Sequence, residues 1–368
     1  MKKVRLGDIA TVITKGTTPT TLGYNFADDG VNFVKIESIT ENGEFLTDKF
    51  AHITDECDRK LSRSQLQRND LLFSIAGAIG RTAIVKEEIL PANTNQALAI
   101  IRVPEGVVDY SYLKYVLQSP TIVEQFEKKK QGVAQLNISL KDIGDFVIPL
   151  STAEEQKTVV STLDKVSELI ALRKEQLTKL DQLVKSRFIE LFDDKYETKP
   201  LQAVCEELFA GGDVKKEKSS DIQSNVYPYP IYTNGEKDNG LYGYTSIVRV
   251  SKEAVTISGR GTIGFTCLRK EPFYPAVRLI VAIPKQELVS GCYLQHFIQS
   301  KNYGGQGASI PQLTVPMIKD EPIPVPPMEL QEQFAAFIEQ TDKSKLAIQK
   351  SLDKLELLKK SLMQQYFG

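Results

Sequence analysis

Residue patterns that could bind a cofactor are rare in this chain. Residues 259–264 read Gly-Arg-Gly-Thr-Ile-Gly, which matches the glycine spacing of a dinucleotide-binding loop. Such a loop needs a helix N-terminus directly behind it to bind the pyrophosphate. Residues 265–268, Phe-Thr-Cys-Leu, are instead typical of a strand. A tight turn between two strands is therefore the favoured interpretation, and a nucleotide site is the alternative.

Residues suited to metal binding or nucleophilic catalysis are also sparse. The four cysteines are scattered without a Cys-x-x-Cys pair, and His52 and His296 are the only histidines. The sequence contains no Walker A, zinc-protease or nucleophile-elbow motif, and it lacks the Asn- or Asp-Pro-Pro-aromatic motif of amino-methyltransferases. The sequence therefore predicts no catalytic residues, cofactor or metal on this chain.

Polar, basic and aromatic residues that suit base recognition concentrate at predicted turns. In the major groove, Arg and Lys hydrogen-bond to guanine, and Asn and Gln hydrogen-bond to adenine. A solvated surface is the competing interpretation for each residue, because turns are polar in most proteins. The candidates in the first half are Lys15, Thr17, Thr18, Lys35, Ser74, Arg81, Asn93, Asn95, Gln96, Gln135 and Asn137. Those in the second half are Lys215, Lys216, Tyr232, Asn234, Ser258, Arg260, Arg278, Gln306, Ser309 and Gln312.

The charge balance limits how such residues could bind DNA. Lys plus Arg number 46 and Asp plus Glu number 47, for a net charge of −1. A free-standing non-specific DNA binder would be basic, so we expect a partner to supply much of the phosphate neutralisation. The longest uncharged, mostly apolar run, residues 71–80, is about half of what a bilayer requires. With no signal-peptide pattern at the start, cytoplasmic localisation is expected.

An internal repeat organises the elements that must position these residues. Gln131-Gly132 recurs as Gln306-Gly307, and Ile148-Pro149-Leu150 recurs as Ile323-Pro324-Val325, both 175 positions later. The match continues at this offset through Phe192 and Phe367. Upstream the offset drifts, and Gly77 and Gly80 pair with Gly261 and Gly264 at 184. Each half therefore has a variable front part and a more similar rear part.

The rear parts are predicted to be long helices. Ser151 and Glu154 fit a capping box before the first, and Pro326-Pro327 precede the second. The apolar seams are narrow and long, so we expect the two helices to pack on each other in antiparallel orientation, with other faces left for other subunits. Two unrelated surface helices are the alternative. The seam residues, spaced mainly by three and four, are Leu163, Val166, Ile170, Leu177, Leu180, Val184 and Leu191, then Ile338, Ile348, Leu352, Leu355 and Leu362.

The front parts are predicted to be mixed α/β domains with short strands. Residues 31–36, 254–258 and 279–283 are strand-like, and residues 110–130 indicate a helix that ends in a lysine run. The predicted fold is two pseudo-repeated domains separated by an antiparallel coiled coil of two long helices, with pseudo-two-fold symmetry. The predicted segments are a first front part (1–150), a central helical region (151–195), a second front part (196–325) and a C-terminal helical region (326–368).

This order of segments resembles the specificity (S) subunit of type I restriction–modification enzymes. The first-half motifs Leu6-Gly7-Asp8-Ile9 and Lys15-Gly16-Thr17-Thr18-Pro19 contribute to the resemblance, as do the two glycine turns. The strand-to-helix junctions, residues 148–156 and 323–331, are similar to the family's I-P-L-P-P-x-x-E-Q signature. The first junction departs from it by having Ser151-Thr152 in place of two prolines. The resemblance covers essentially the whole chain.

The resemblance implies a division of labour within a larger complex. Each front part would be a target recognition domain that reads one half of a bipartite double-stranded DNA target. The helices would set the gap between the half-sites and dock two modification (methyltransferase) subunits, which hold S-adenosylmethionine. Two restriction subunits would add a translocase and nuclease that use ATP and magnesium. This chain would itself be non-catalytic.

Two other functions are kept as alternatives. One is an enzyme, either a self-contained methyltransferase–nuclease fusion or a nucleotide-dependent enzyme that uses residues 259–264. The other is a helical scaffold without DNA specificity.

Overall fold

The computed structural model describes residues 2–128, 137–192, 196–214, 218–301, 303 and 312–368. The chain forms two compact units: unit 1 comprises Met1–Lys174 and Lys350–Gly368, and unit 2 comprises Glu175–Gln349. The mixture of helices and strands confirms the predicted α/β class. The division into four sequence segments stays a prediction. Within the described part of the chain, no helix has both the length and the hydropathy to cross a membrane.

Unit 1 contains short strands and short helices in front of a long helix. Its strands are β1 (Lys2–Arg5), β2 (Val12–Lys15), β3 (Val31–Val34), β4 (Ala51–Ile53), β5 (Leu71–Ser74), β6 (Thr82–Ile84), β7 (Ala92–Thr94), β8 (Leu98–Arg102) and β9 (Val147–Leu150). Its short helices are α1 (Leu6–Ile9), α2 (Asp55–Lys60), α3 (Tyr110–Leu117), α4 (Pro120–Glu127) and α5 (Leu140–Gly144).

The central sheet of unit 1 is antiparallel, with the order β2-β8-β5-β6. Strand β5 is buried along its whole length, and only the last residue of β8 is partly accessible, which explains their continuous apolar sequences. A second sheet has the order β4-β3-β7, in which β3 and β7 are parallel. Strand β1 pairs with β9 and so joins the start of the chain to the junction before the long helix.

Unit 2 has a similar set of elements. Its strands are β10 (Thr198–Pro200), β11 (Cys205–Ala210), β12 (Ser219–Ser220), β13 (Tyr229–Tyr232), β14 (Leu241–Thr245), β15 (Ala254–Ile257), β16 (Thr266–Arg269), β17 (Tyr274–Pro275), β18 (Ile280–Pro284) and β19 (Pro322–Pro324). Its short helices are α7 (Leu201–Val204), α8 (Gly291–Ser300) and α9 (Val315–Ile318).

The sequence repeat appears in the topology of the two units. The central sheet of unit 2 has the order β11-β18-β15-β16, which matches β2-β8-β5-β6 strand for strand, and β10 pairs with β19 as β1 pairs with β9. The second sheets differ, because unit 2 has the order β12-β14-β13-β17. Two repeated domains are therefore confirmed, and the variable part of each is concentrated in its second sheet.

Two long helices, α6 (Ala153–Phe192) and α10 (Met328–Phe367), contribute to both units. Within unit 1, Val159 of α6 shares a core with Phe367 of α10, and Lys174 Nζ lies 3.1 Å from Glu356 Oε1. The two segments in this unit therefore run in opposite directions.

Unit 2 shows the same antiparallel arrangement. The Phe192 and Phe334 rings are 5.5 Å apart, and Lys345 Nζ lies 2.6 Å from Asp181 Oδ1. Aromatic rings pack at the C-terminal end of α10 in unit 1, around Phe367, and at the C-terminal end of α6 in unit 2, around Phe192.

The predicted seam follows the less exposed face of both helices. The buried members are Leu163, Val166, Ile170, Val184 and Leu352. The half-buried members are Leu177, Leu180, Leu191, Ile338, Ile348, Leu355 and Leu362. Thr341 also lies on this face, where its hydroxyl donates to the Phe337 carbonyl of the preceding turn at 2.8 Å. That bond satisfies the polar residue within its own helix.

The structure corrects the predicted capping box. Helix α6 begins at Ala153, so the capping residue is Thr152 rather than Ser151. The Thr152 N–H donates to Glu155 Oε2 at 2.9 Å, and the Glu155 N–H donates to the Thr152 hydroxyl at 3.4 Å. The reciprocal pair is one residue later than predicted, because β9 and the buried Ser151 occupy the preceding positions.

The single helix predicted for residues 110–130 is also wrong. The structure has α3 and α4, separated at Gln118 and Ser119. Pro120 has no N–H to continue α3, so it takes the first position of a new helix. Ser119 caps that helix by accepting a hydrogen bond from the Ile122 N–H.

Candidate nucleic-acid interface

The two glycine turns have the same geometry in both units. In unit 1 the turn joins β5 to β6, and the Gly80 N–H donates to the Ser74 carbonyl at 3.0 Å. In unit 2 it joins β15 to β16, and the Gly264 N–H donates to the Ser258 carbonyl at 2.9 Å. Both turns use glycines at positive φ, a conformation that other residues rarely adopt. Residues 259–264 are thus followed by a strand, as expected, and offer no helix N-terminus to a pyrophosphate.

A second turn lies beside each glycine turn, directly before the next strand of the central sheet. Residues 95–98 form it in unit 1, where the Leu98 N–H donates to the Asn95 carbonyl at 3.4 Å. Residues 276–279 form it in unit 2, where the Leu279 N–H donates to the Ala276 carbonyl at 3.1 Å. We name these segments the pre-strand turns. In each unit, the glycine turn, the pre-strand turn and the loop after the first sheet strand together form what we call the loop edge.

Glycine is required where the loop after the first sheet strand passes the pre-strand turn. A Cβ atom on Gly16 would overlap the Thr94 carbonyl oxygen, and one on Gly211 would overlap the Ala276 carbonyl oxygen. The Gly16 N–H donates to the Asn95 carbonyl at 3.1 Å. This close approach explains the glycine in the Lys15-Gly16-Thr17 motif and brings Lys15 and Thr17 next to the pre-strand turn.

Several predicted base-contacting residues of unit 1 are bonded inside the protein. Ser74 is fully buried and accepts from the Arg81 N–H at 2.8 Å. The Arg81 guanidinium donates to the Ile39 carbonyl at 2.7 Å. Asn93 is fully buried, and its amide donates to Asp58 Oδ1 at 2.9 Å. These three side chains position the loops.

Asn234 and Ser258 have the corresponding role in unit 2. The Asn234 amide donates to the Val277 carbonyl at 3.0 Å, and its oxygen accepts from the Gly259 N–H at 2.8 Å. The buried Ser258 hydroxyl accepts from the Gly235 N–H at 3.1 Å. Asn234 therefore links the glycine turn to the pre-strand turn.

The remaining unit 1 candidates that the structure describes lie at the surface. Lys15, Gln96 and Asn137 are exposed. The Thr18 hydroxyl donates to Gln96 Oε1, which orients the Gln96 amide. Half-buried members of the set are Thr17, Thr18, Lys35 and Asn95. Gln135 lies outside the described residues.

In unit 2, Arg260 is exposed, and Tyr232, Arg278 and Gln312 are half-buried. Arg278 has a φ of +68°, in the left-handed region that favours glycine. Lys215, Lys216, Gln306 and Ser309 lie outside the described residues.

The sequence analysis named Lys35 and Tyr232 but missed the partner of each in a cation–aromatic pair, Phe26 and Arg269. Lys35 Nζ lies 4.4 Å from the ring centroid of Phe26, an exposed aromatic residue. The Arg269 guanidinium carbon lies 3.6 Å from the ring centroid of Tyr232. Burial lowers the pKa of Arg269, whose Nε donates to the Thr256 hydroxyl at 3.1 Å. For Arg269, the sequence signal was its position directly after the predicted strand at residues 265–268.

Two side chains of the types that perform nucleophilic and acid–base chemistry, Cys292 and His296, have shifted pKa values. Burial raises the pKa of the Cys292 thiol to about 12, so the thiolate nucleophile is not formed at neutral pH. Burial also lowers the pKa of His296, which keeps its imidazole neutral. No cluster of three or more His, Cys, Asp or Glu residues that could hold a metal occurs within the described ranges.

Comparison with known proteins identifies the same family for both halves of the chain. The family model described as the type I restriction modification DNA specificity domain matches residues 1–182 and, a second time, residues 193–359. A Mycoplasma pneumoniae protein named as a type I specificity subunit is 26% identical over 258 residues, which cover 67% of this chain and 68% of that protein. The EcoBI type I restriction enzyme specificity subunit of Escherichia coli is 32% identical over 140 residues, which cover 38% of this chain and 29% of that protein.

Solved structures show the same fold. The S subunit of a type I restriction–modification system from M. genitalium aligns with a TM-score of 0.57 and 16% identity, covering all of this chain and 96% of that one. A chain from a structure of type I restriction–modification complex assembly aligns with a TM-score of 0.63 and 17% identity, covering 99% of this chain and 96% of that one.

Proposed function

The chain belongs to the type I restriction–modification DNA specificity domain family, and from that membership we propose that residues 1–150 and 196–325 each read one half of a bipartite DNA target. The observation that carries this proposal is the duplicated loop edge. The same two turns occur on the same sheet topology in both units, and each presents polar side chains of the types that hydrogen-bond to bases. Two similar readers in one chain suit a target with two separate parts.

We assign the chemistry to partner subunits. On this proposal the chain is the non-catalytic subunit, modification subunits hold S-adenosylmethionine, and restriction subunits, where present, use ATP and magnesium. The net charge of −1 supports this division, because a protein that neutralised many phosphates alone would be basic.

The long helices are proposed to set the spacing and to dock the modification subunits. Each has 40 residues, which at 1.5 Å per residue corresponds to about 60 Å. Both helices carry exposed leucines away from the seam, and we propose that these leucines contribute to the docking surfaces. These leucines are Leu169, Leu172, Leu357 and Leu358 in unit 1 and Leu183 and Leu346 in unit 2.

The test is a methylome, measured by single-molecule sequencing of cells that express this chain with its modification subunit. The matched control is a deletion of this chain alone. We expect a split motif with N6-methyladenine on both strands that disappears in the deletion. Methylation that shows no dependence on this chain, despite expression of the partner, would favour a scaffold without DNA specificity.

A further inference from the structure

We propose that the pre-strand turns carry the specificity-determining side chains, with Gln96 reading an adenine in one half-site and Arg278 reading a guanine in the other. This inference rests on the proposed function and adds to it the residues and the bases. It depends on three observations: the two turns occupy equivalent positions, Gln96 is oriented by a neighbour, and Arg278 has an unusual backbone conformation.

The register of the central sheets establishes the equivalence. In unit 1, Ser74 at the end of β5 pairs with Leu98 at the start of β8. In unit 2, continuing the β15–β18 register by one residue places Ser258 opposite Leu279. Ser74 and Ser258 both begin the glycine turn, so Leu98 and Leu279 are equivalent. The central pairs of the two turns, residues 96–97 and 277–278, therefore occupy the same place in the two recognition folds.

The side-chain amide of Gln96 is oriented so that it can form two hydrogen bonds with one base. It is exposed, and the Thr18 hydroxyl donates to its Oε1 and so fixes which way the amide faces. The oxygen retains a second lone pair, and within the described part of the chain its Nε2 makes no hydrogen bond. An adenine presents an N6 donor and an N7 acceptor in the major groove, which match one amide oxygen and one amide N–H.

Arg278 is held in a conformation that costs energy for a residue with a side chain. Its φ of +68° is normally adopted by glycine, and strained residues of this kind cluster at ligand-binding sites. The hydrogen bond from Asn234 to the Val277 carbonyl fixes the turn. Among the described residues, the Arg278 guanidinium has no ion-pair or hydrogen-bond partner. Its planar fork can donate to both O6 and N7 of a guanine.

The experiment measures the specificity of four variants in the complete complex with the modification subunit. The variants are Gln96→Ala, Gln96→Glu, Arg278→Ala and Arg278→Lys, and native mass spectrometry first confirms that each assembles. Competition binding is then measured against a panel in which every position of the wild-type motif is changed singly, at two salt concentrations. The controls are Gln67→Ala and Lys252→Ala, exposed residues that precede β5 and β15 at the strand ends away from the loop edge.

We expect position-specific effects. Gln96→Ala should reduce discrimination at a single A·T pair of one half-site by about 5- to 150-fold, and Gln96→Glu should shift the preference there towards cytosine, whose N4 donates to a carboxylate. Arg278→Ala should cause a similar loss at a single G·C pair of the other half-site, with Arg278→Lys retaining part of the discrimination. The control variants should keep the wild-type specificity.

Three results would overturn the inference. Unchanged specificity in all four variants would exclude a reading role, and uniform weakening on every sequence with a shallower salt dependence would make these residues phosphate contacts. Failure of all four variants to assemble would show that the turns are structural. A wild-type complex without sequence preference would instead refute the proposed function, so the two failures are distinguishable.

Discussion

A buried glutamine that recurs in both strand-to-helix junctions makes equivalent hydrogen bonds in the two units. The Gln156 oxygen accepts from the Asp109 N–H at 2.8 Å, and its amide donates to the Ser151 carbonyl at 2.8 Å. Gln331 makes the corresponding bonds, with its oxygen accepting from the Ser290 N–H at 2.7 Å. Asp109 and Ser290 are the capping residues of α3 and α8. One side chain thus joins the start of a long helix to the start of a short helix, α3 in unit 1 and α8 in unit 2.

Replacing this glutamine should destabilise the protein. Gln331 is fully buried, so Gln331→Leu leaves the Ser290 N–H without its partner and should lower the free energy of unfolding by about 1–3 kcal/mol. Urea unfolding followed by circular dichroism measures the change. The exposed neighbour offers a control, since Gln333→Leu should have little effect. Equal stability of the two variants would contradict the proposed bridge.

At the scale of elements, the ends of the long helices are anchored in the same way in both units. The Phe367 ring packs edge-to-face against Tyr112 at 5.4 Å, and the Phe192 ring packs edge-to-face against Tyr293 at 4.7 Å. Each tyrosine hydroxyl donates to a proline carbonyl of the strand before a long helix, Pro149 at 3.2 Å and Pro324 at 3.0 Å. The aromatic contact and the hydrogen bond from the tyrosine hydroxyl to the proline carbonyl together hold the helix end in place.

Lengthening both helices should lengthen the gap in the DNA target. One heptad is inserted between Lys174 and Asp181 of α6 and another between Lys345 and Glu356 of α10, which preserves the antiparallel register on both sides. Seven residues add about 10.5 Å and nearly two helical turns, so the helix faces keep their orientation. At 3.4 Å per base pair, the gap should increase by about three base pairs without a change in either half-site.

The methylome of the insertion variant measures the gap. As a control, seven Gly and Ser residues are inserted into the exposed segment 222–226, which lengthens the chain but not the helices and should leave the gap unchanged. An unchanged gap in the helix variant would refute the spacing role.

At the scale of the whole molecule, the repeat predicts two modification subunits per chain. Leu183 in unit 2 and Leu358 in unit 1 are 175 positions apart, the offset of the repeat, and both are about half exposed. If the proposed docking role is correct, these equivalent apolar positions belong to two equivalent docking surfaces. A partner that binds one surface should therefore also bind the other.

Native mass spectrometry of the purified complex tests this stoichiometry. We expect two modification subunits with the wild-type chain, one with Leu183→Glu or Leu358→Glu, and none with both substitutions, because burying an unpaired carboxylate in an apolar interface is unfavourable. Glu substitution of the exposed Gln333 is the control and should retain two. A wild-type complex with one modification subunit, or single variants that retain two, would contradict the prediction.

The repeat, the long helices and the glycine turns could be predicted from the sequence because each is a local pattern. Helical periodicity extends over many residues of 153–192 and 328–367, and a glycine pair at a fixed spacing determines a tight turn without reference to the rest of the chain. Predictions from local patterns were wrong where a single residue decides the position of a helix end. Because Pro120 cannot continue α3, residues 110–127 form two helices rather than one. Because β9 extends to Leu150, the capping residue of α6 is Thr152 rather than Ser151.

Only the tertiary structure decided which polar turn residues face outwards. Ser74 is the last residue of β5 and Gln96 lies two residues before β8, yet Ser74 is fully buried and Gln96 is exposed. The surroundings of Gln96 come from residues distant in the sequence. The loop after β2 places Gly16 against the turn that contains Gln96, and the Thr18 hydroxyl of the same loop donates a hydrogen bond to Gln96 Oε1. A residue's accessibility depends on which segments fold against it, and that information is absent from its immediate neighbours in the chain.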